Sequence, residues 1–301
     1  MPQIDSRDYL QIGQFQTGRP GSARKPYFVG ASLSDWSSGP TTKTILPEQL
    51  ENRSGQVFFI ERVLFAVAGV SDDMATEQFW DTRIRIRPAQ HKPWMDELIP
   101  IMPLFDPDGV VHAASSDTQN RHTRILTLPE PYPIMPGNTF QVEVECAEFT
   151  GEFSDDETRV LFCLVGYTET IPAYTQPRLL PYYKGITQIV SAGDSEALAF
   201  QAGEDWHIRS LCVRSTDALP PRSEGFGSNT QMEIQYSVRG RPKIIETPVM
   251  IGALQDYHSR AIPLYDMLMR GNETFNIGFR NTSPILDARV FLALGGYRRA
   301  S

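Results

Sequence analysis

Five histidines, His91, His112, His122, His207 and His258, are the side chains best suited to move a proton or hold a transition metal near neutral pH. A metal site built on one element sets them in HxH, HxxxH or HExxH spacing, which brings the ring nitrogens onto one face. No pair stands so. His207 follows Trp206 in a strand-like run and reads as a core or surface residue. Paired carboxylates can hydrolyse glycosides or bind calcium, and three acidic groups qualify by type: Asp72-Asp73, Asp106/Asp108 and Asp155-Asp156-Glu157. The first and last read as solvated loop tips. Asp106-Pro107-Asp108-Gly109 has turn residues but lacks the spaced further oxygen ligands of a calcium loop. The three cysteines, Cys146, Cys163 and Cys212, sit in apolar runs without a CxxC pair, and read as reduced core residues. There is no GxSxG elbow, no P-loop and no GxGxxG opening a helix; Gly225-Phe226-Gly227 lies in a Ser-rich loop and reads as its tip. The expectation is therefore no catalytic residue, no cofactor site and no metal site: a protein that is not an enzyme.

Elements must then carry the function. The chain has 301 residues, enough for two ordinary domains, and 41% of them are hydrophobic, enough to bury a core. Its 23 prolines and 22 glycines suit a turn-rich all-β protein. No run approaches the roughly 18 apolar residues of a membrane-spanning helix. Met1 to Arg7 lacks the basic start and apolar stretch of a secretory signal, so synthesis in the cytosol is expected. The net charge of −8 argues against a phosphate-binding surface and hence against direct nucleic-acid binding. Arg83, Arg85 and Arg87 alternate along one strand-like run and read as its solvated face.

The two halves resemble each other. Arg159-Val160-Leu161-Phe162-Cys163-Leu164-Val165-Gly166-Tyr167 matches Arg289-Val290-Phe291-Leu292-Ala293-Leu294-Gly295-Gly296-Tyr297. Gly137 to Val142 matches Gly271 to Ile277 with one inserted residue, Ile60 to Phe65 resembles Ile208 to Val213, and Leu98 to Met102 resembles Glu246 to Met250. Position differences are 148 at Ile60/Ile208 and Pro100/Pro248, 136 at Arg124/Arg260, 134 at Gly137/Gly271 and 130 at Gly166/Gly296. They keep order and only shrink, as a duplication with shortening loops requires; chance likeness would scatter them.

The repeated segments read as strands. Thr82 to Arg87, Gln141 to Glu145 and Met232 to Val238 alternate polar and apolar with period two, one face on a core and one in water. Val160 to Val165 is continuously apolar and is expected to be covered on both faces. Strands are expected near 57–69, 80–88, 98–105, 122–128, 138–148 and 157–167, then 197–202, 205–214, 230–239, 243–251, 260–264, 273–280 and 287–297. Helix is confined to single turns at Pro47–Asn52 and Leu254–Ser259. The organisation expected is an N-terminal arm over 1–55, a first β-sandwich over 56–168, a linker over 169–196 and a second sandwich over 197–301. The arm carries six basic and five acidic residues with aromatic anchors such as Tyr9, Phe15, Tyr27, Phe28 and Trp36, so it is expected to pack on the protein or a neighbour. An eight-stranded jelly roll and a seven-stranded immunoglobulin-like sandwich both fit the count.

Two tandem sandwiches with an arm and no chemical site resemble the double jelly-roll major capsid proteins of icosahedral viruses. That lineage includes tail-less, membrane-containing bacteriophages and adenovirus hexon. The resemblance is architectural, covers about residues 55–298 and rests on the repeat. It implies two upright jelly rolls, a homotrimer forming a pseudo-hexagonal capsomer, and a place in the virion after synthesis in the host cytoplasm. It implies further copies of the chain, other virion proteins and an underlying viral membrane as partners. Two other functions fit the sequence. One is an accessory virion protein of a tailed phage, such as a cement, head-fibre or tail-adaptor protein. The other is a carbohydrate-binding module, which needs exposed aromatics; Trp36, Trp80, Trp94 and Trp206 are its candidates.

Overall fold

A computed structural model describes residues 24–33, 41–68, 82–104, 123–146, 159–170, 177–217, 232–238, 247–251 and 261–300. The first half contributes β1 (Lys25–Leu33), β2 (Thr41–Ile45), β3 (Val57–Ala68), β4 (Thr82–Pro88), β5 (Ile99–Pro100), β6 (Thr123–Ile134), β7 (Phe140–Cys146) and β8 (Arg159–Glu169). The second contributes β9 (Leu179–Val190), β10 (Ser195–Phe200), β11 (Trp206–Asp217), β12 (Met232–Val238), β13 (Val249–Met250), β14 (Ala261–Met269), β15 (Phe275–Asn281) and β16 (Ala288–Arg299). They pair into four antiparallel sheets, ordered β1-β8-β3-β6 and β2-β7-β4-β5 in the first half, β9-β16-β11-β14 and β10-β15-β12-β13 in the second. Each half is thus an eight-stranded jelly roll, and the second order is the first with every strand advanced by eight. The immunoglobulin alternative is excluded by the strand count and order.

Alternation explains the strands that the sequence made legible. In β4 and β12 every second residue is buried, with Ile84, Ile86, Ile234 and Tyr236 facing inward. Three strands fall where connectors were expected. β1 and β2 lie inside the 1–55 segment assigned to an arm, and β9 inside the 169–196 segment assigned to a linker. The reason is local. β1 and β2 are edge strands, and only alternate residues of β1 (Tyr27, Val29, Ala31 and Leu33) pack on the core, between Pro26, Gly30 and Ser32. Threonines fill most of β2, and β9 is broken in pattern by Pro181, Lys184 and Gly185. The expected strand at 98–105 shrinks to the two residues of β5, followed by a helical turn, α1 (Ile101–Leu104). Pro100 and Pro103 remove donors that a longer strand needs. The turn expected at Pro47–Asn52 is a 3-10 turn over Pro47–Leu50; that at Leu254–Ser259 lies outside the described residues.

The two jelly rolls share a fault in the same place. Against both neighbours, β3 shifts register between Ile60 and Arg62, and β11 shifts between Ile208 and Ser210. Such a bulge pushes backbone toward the adjacent strand. Opposite Ile60 stands Gly166, and opposite Ile208 stands Gly296. A Cβ on Gly166 would lie 1.8 Å from the Phe59 carbonyl oxygen, and one on Gly296 1.9 Å from that of His207. Only glycine fits, which is why the glycine recurs in both copies. The pairing also corrects one sequence match. Arg83 faces Pro100 while Glu233 faces Met250, so the counterpart of Pro100 is Met250 and not Pro248.

We expect Gly166→Ala and Gly296→Ala each to cost about 3 kcal/mol, near the top of the range for overpacking. Gly278→Ala, whose added Cβ meets nothing nearer than 3.9 Å, should stay within about 0.5 kcal/mol of the parent. Urea midpoints read the difference, and equal midpoints would contradict the bulge argument.

Candidate assembly interface

Each residue singled out for chemistry is packed for structure or falls outside the described segments. His91 is half-buried edge-on to Tyr132, 5.8 Å between ring centroids, and burial lowers its pKa. His207 stacks on Tyr297 at 4.9 Å. Cys163 is a free thiol pushed up to about 11 by burial, so it is protonated at neutral pH and a poor nucleophile. Cys212 is buried in the other jelly roll. Among the described residues, no three His, Cys, Asp or Glu side chains cluster to hold a metal ion. His112, His122, His258, the three acidic groups and Gly225-Phe226-Gly227 lie outside those residues, as do Trp36 and Trp80. Trp94 and Trp206 are fully buried.

What remains is the chemistry of the sheet faces. The outward face of β4 and β7 is a charge ladder: Arg83 lies 3.6 Å from Glu145, Arg87 lies 3.6 Å from Glu143, and Arg85 also pairs with Glu143. Two glutamates thus offset two of the three arginine charges in place, and the row faces water. In the second jelly roll the outward face of β12 and β15 carries Glu233, Gln235, Ser237 and Arg280, with Arg280 and Glu233 3.7 Å apart. One sheet of each jelly roll is thus built for water.

The other sheet is not. Outward from β16 and β11 stand Phe291, Ala293, Cys212 and Arg214, none more than 4% exposed. The first jelly roll covers them: β5 and α1 lie against β9, β11 and β16. Leu180, Tyr183, Phe291 and Ala293 join the first core as a result. The Tyr183 amide donates to the Trp94 carbonyl at 2.9 Å, and Met95 bridges to Tyr183. Ile99 sits so close to β9 that a Cβ on Gly185 would lie 2.4 Å from its Cγ2.

A polar latch closes this contact at one end. Tyr182 donates to Asp96 at 2.5 Å, and Arg298 lies 3.8 Å from the centre of the Tyr182 ring. Burial, reinforced by Asp96, raises the Tyr182 pKa far above its ordinary value. Arg298, 4% exposed, donates to the Pro93 carbonyl at 2.7 Å and pairs with Glu204, which also holds Lys92 at 2.6 Å. Histidine and carboxylate spacing could not have revealed this cluster, because its members come from the distant segments 92–96, 182, 204 and 298.

The equivalent face of the first jelly roll is apolar along β8, carries Arg62 on β3, and is only partly covered. Inward from β8, Val160, Phe162 and Leu164 are buried; outward, Leu161, Cys163 and Val165 are half-buried. The expectation that this strand is covered on both faces is met instead by its counterpart, Val290 to Gly295. Phe59 stacks on Tyr167 at 5.2 Å beside them, and Phe28 of β1, which pairs with Val165, is 56% exposed.

No family model and no curated protein sequence matches the chain. Solved structures do. A chain in the atomic structure of Sulfolobus Turreted Icosahedral Virus is similar with a TM-score of 0.55 at 11% identity, over 91% of this chain and 90% of that one. The STIV MCP, in a crystal structure, gives a TM-score of 0.49 at 11% identity, over 90% and 96%. A chain of the Sputnik virophage gives 0.30 at 11%, over 96% and 89%. The first likeness spans both jelly rolls, so the shared fold is the tandem arrangement and not one sandwich alone.

The latch generates its own expectation. Arg298→Ala removes a buried guanidinium from the Pro93 carbonyl and the Tyr182 ring and leaves Glu204 to Lys92 alone, and should cost about 2 kcal/mol. Lys92→Ala removes the half-exposed partner of the same carboxylate and should cost under about 1 kcal/mol. Guanidinium unfolding of both variants gives the comparison; equal losses would place Arg298 among ordinary surface charges.

Proposed function

We propose that the chain is a structural protein of a virus particle, a major capsid protein whose copies trimerise into pseudo-hexagonal capsomers of an icosahedral shell. One observation carries the reading: two like jelly rolls pack side by side through an apolar sheet face, and the first of them presents the same kind of face with incomplete cover. A chain of an icosahedral virus shares this tandem fold. Three such chains supply six similar wedges, which suits a ring with one unsatisfied face per chain. The role is mechanical and needs no catalytic group. The net charge of −8 fits an outer shell that leaves nucleic acid to other components. Its place is the virion, reached from the host cytoplasm, with other virion proteins and an underlying membrane as further contacts.

Burial of Trp94 and Trp206 leaves a sugar-binding reading without two of its four candidate stacking surfaces. An accessory virion protein shares the fold requirements but not the need to close a lattice. Light scattering of the purified protein, with negative-stain images of the same sample, separates them. We expect three times the chain mass and a pseudo-hexagonal outline, or shell fragments. A monomer at every concentration would overturn the capsomer reading and leave the accessory role.

A further inference from the structure

We propose that the outward face of β1, β8 and β3 is the seat of a second copy of this chain, which enters with β13 of its second jelly roll. The inference rests on the trimeric reading and names the contact within it. The contact inside the chain is the template. There, Ile99, Pro100 and α1 of one jelly roll lie on β9, β16 and β11 of the next. Strand pairing gives each part a counterpart. Ile84 pairs with Ile99 as Ile234 pairs with Val249, so Val249 answers to Ile99 and Ile251 to Ile101. Phe28 pairs with Val165 as Tyr183 pairs with Gly295, so Phe28 answers to Tyr183 and Gly30 to Gly185.

The notch is preserved on both sides. Gly185 omits the Cβ that would strike Ile99. At Gly30 the three atoms nearest an added Cβ all belong to the adjoining strand, the Phe162 carbonyl oxygen at 3.2 Å and Cys163 Sγ and Cβ at 3.5 and 3.6 Å, so among the described residues no atom stands as close as Ile99 does to Gly185. Around this notch the face offers Phe28, Leu161, Cys163 and Val165, with Arg62 beside Val165 and Arg24 over the Tyr167 ring at its margin, where the opposite sheet carries Arg83, Arg85 and Glu143 throughout. The entering segment matches: Val249 and Met250 are half-buried, so their side chains are partly free to make the contact, while Ile251 belongs to the second core as Ile101 belongs to the first. The two surfaces differ, so the contact is head-to-tail, and such a contact closes a ring when its rotation is a whole fraction of a turn.

Four variants test it by native mass and thermal midpoint. Phe28→Asp puts a charge on the seat, Gly30→Ile fills the notch with a side chain suited to strands, and Val249→Asp alters the entering segment. Each should raise the trimer dissociation constant at least tenfold while the strand signal in circular dichroism persists. Ile285→Asp, at a position 80% exposed outside both surfaces, should change neither mass nor midpoint. In a Cys163→Ser background, Gly30→Cys with Val249→Cys should give covalent trimers on oxidation, and either substitution alone should give none. A wild-type trimer that survives all three seat and segment changes would overturn the contact and leave the capsomer reading standing. So would cross-linking by the Gly30→Cys variant without its Val249→Cys partner, which signals a two-fold contact. If residues 1–23 of the same chain occupy the seat, Phe28→Asp lowers the midpoint without altering mass, and the proposal fails. A wild-type chain that is monomeric throughout removes both readings.

Discussion

An antiparallel sheet whose outward residues are apolar has to be covered, and the arrangement of this chain follows from how that cover is supplied. At about 25 cal/mol per Å² of apolar surface removed from water, a face bearing Phe291, Ala293 and Tyr183 favours contact strongly. The first jelly roll provides it by laying Ile99 and α1 across β9, β16 and β11. The charged faces of the partner sheets, where Arg85 pairs with Glu143 and Arg280 with Glu233, direct which side turns to water. The same division between wet and dry sheets therefore sets both the interior of each sandwich and the way the sandwiches stand together.

Close approach is the second condition, and glycine meets it. Gly166 and Gly296 let a bulged strand press its carbonyl against the neighbour, and Gly185 lets Ile99 reach the backbone of β9. Arg298 then fixes the angle of the contact, because its guanidinium is committed at once to Glu204, the Pro93 carbonyl and the Tyr182 ring. A buried cation with that many partners tolerates little sliding, so the two jelly rolls act as one wedge pair.

Much of this was legible in the sequence. The duplication, the all-β class and most core strands follow from period-two runs such as Arg83 to Arg87 and from the shared ending around Gly166 and Gly296. β1, β2 and β9 were hidden because an edge strand needs only alternate apolar residues, and Pro26, Pro181 and the threonines of β2 look like connector. The asymmetry between the halves was not legible: β8 and β16 carry the same apolar run, and nothing in either run says which one its own chain covers. Trp94 stood among the candidate sugar platforms, whereas its ring packs edge-on against Tyr132 and Phe140 in the first core.

Hydroxyl-radical footprinting of the assembled protein tests the central claim, since it compares two exposed apolar residues within one molecule. Phe28 is 56% exposed and Ile285 80% exposed in the single chain. If the dry face of the first jelly roll is covered by assembly, oxidation of Phe28 falls severalfold in the assembled fraction relative to dilute monomer, while Ile285 oxidises alike in both. Equal oxidation of Phe28 in the two fractions would mean that this face stays wet, and the account of the fold as a pair of faces requiring cover would be wrong.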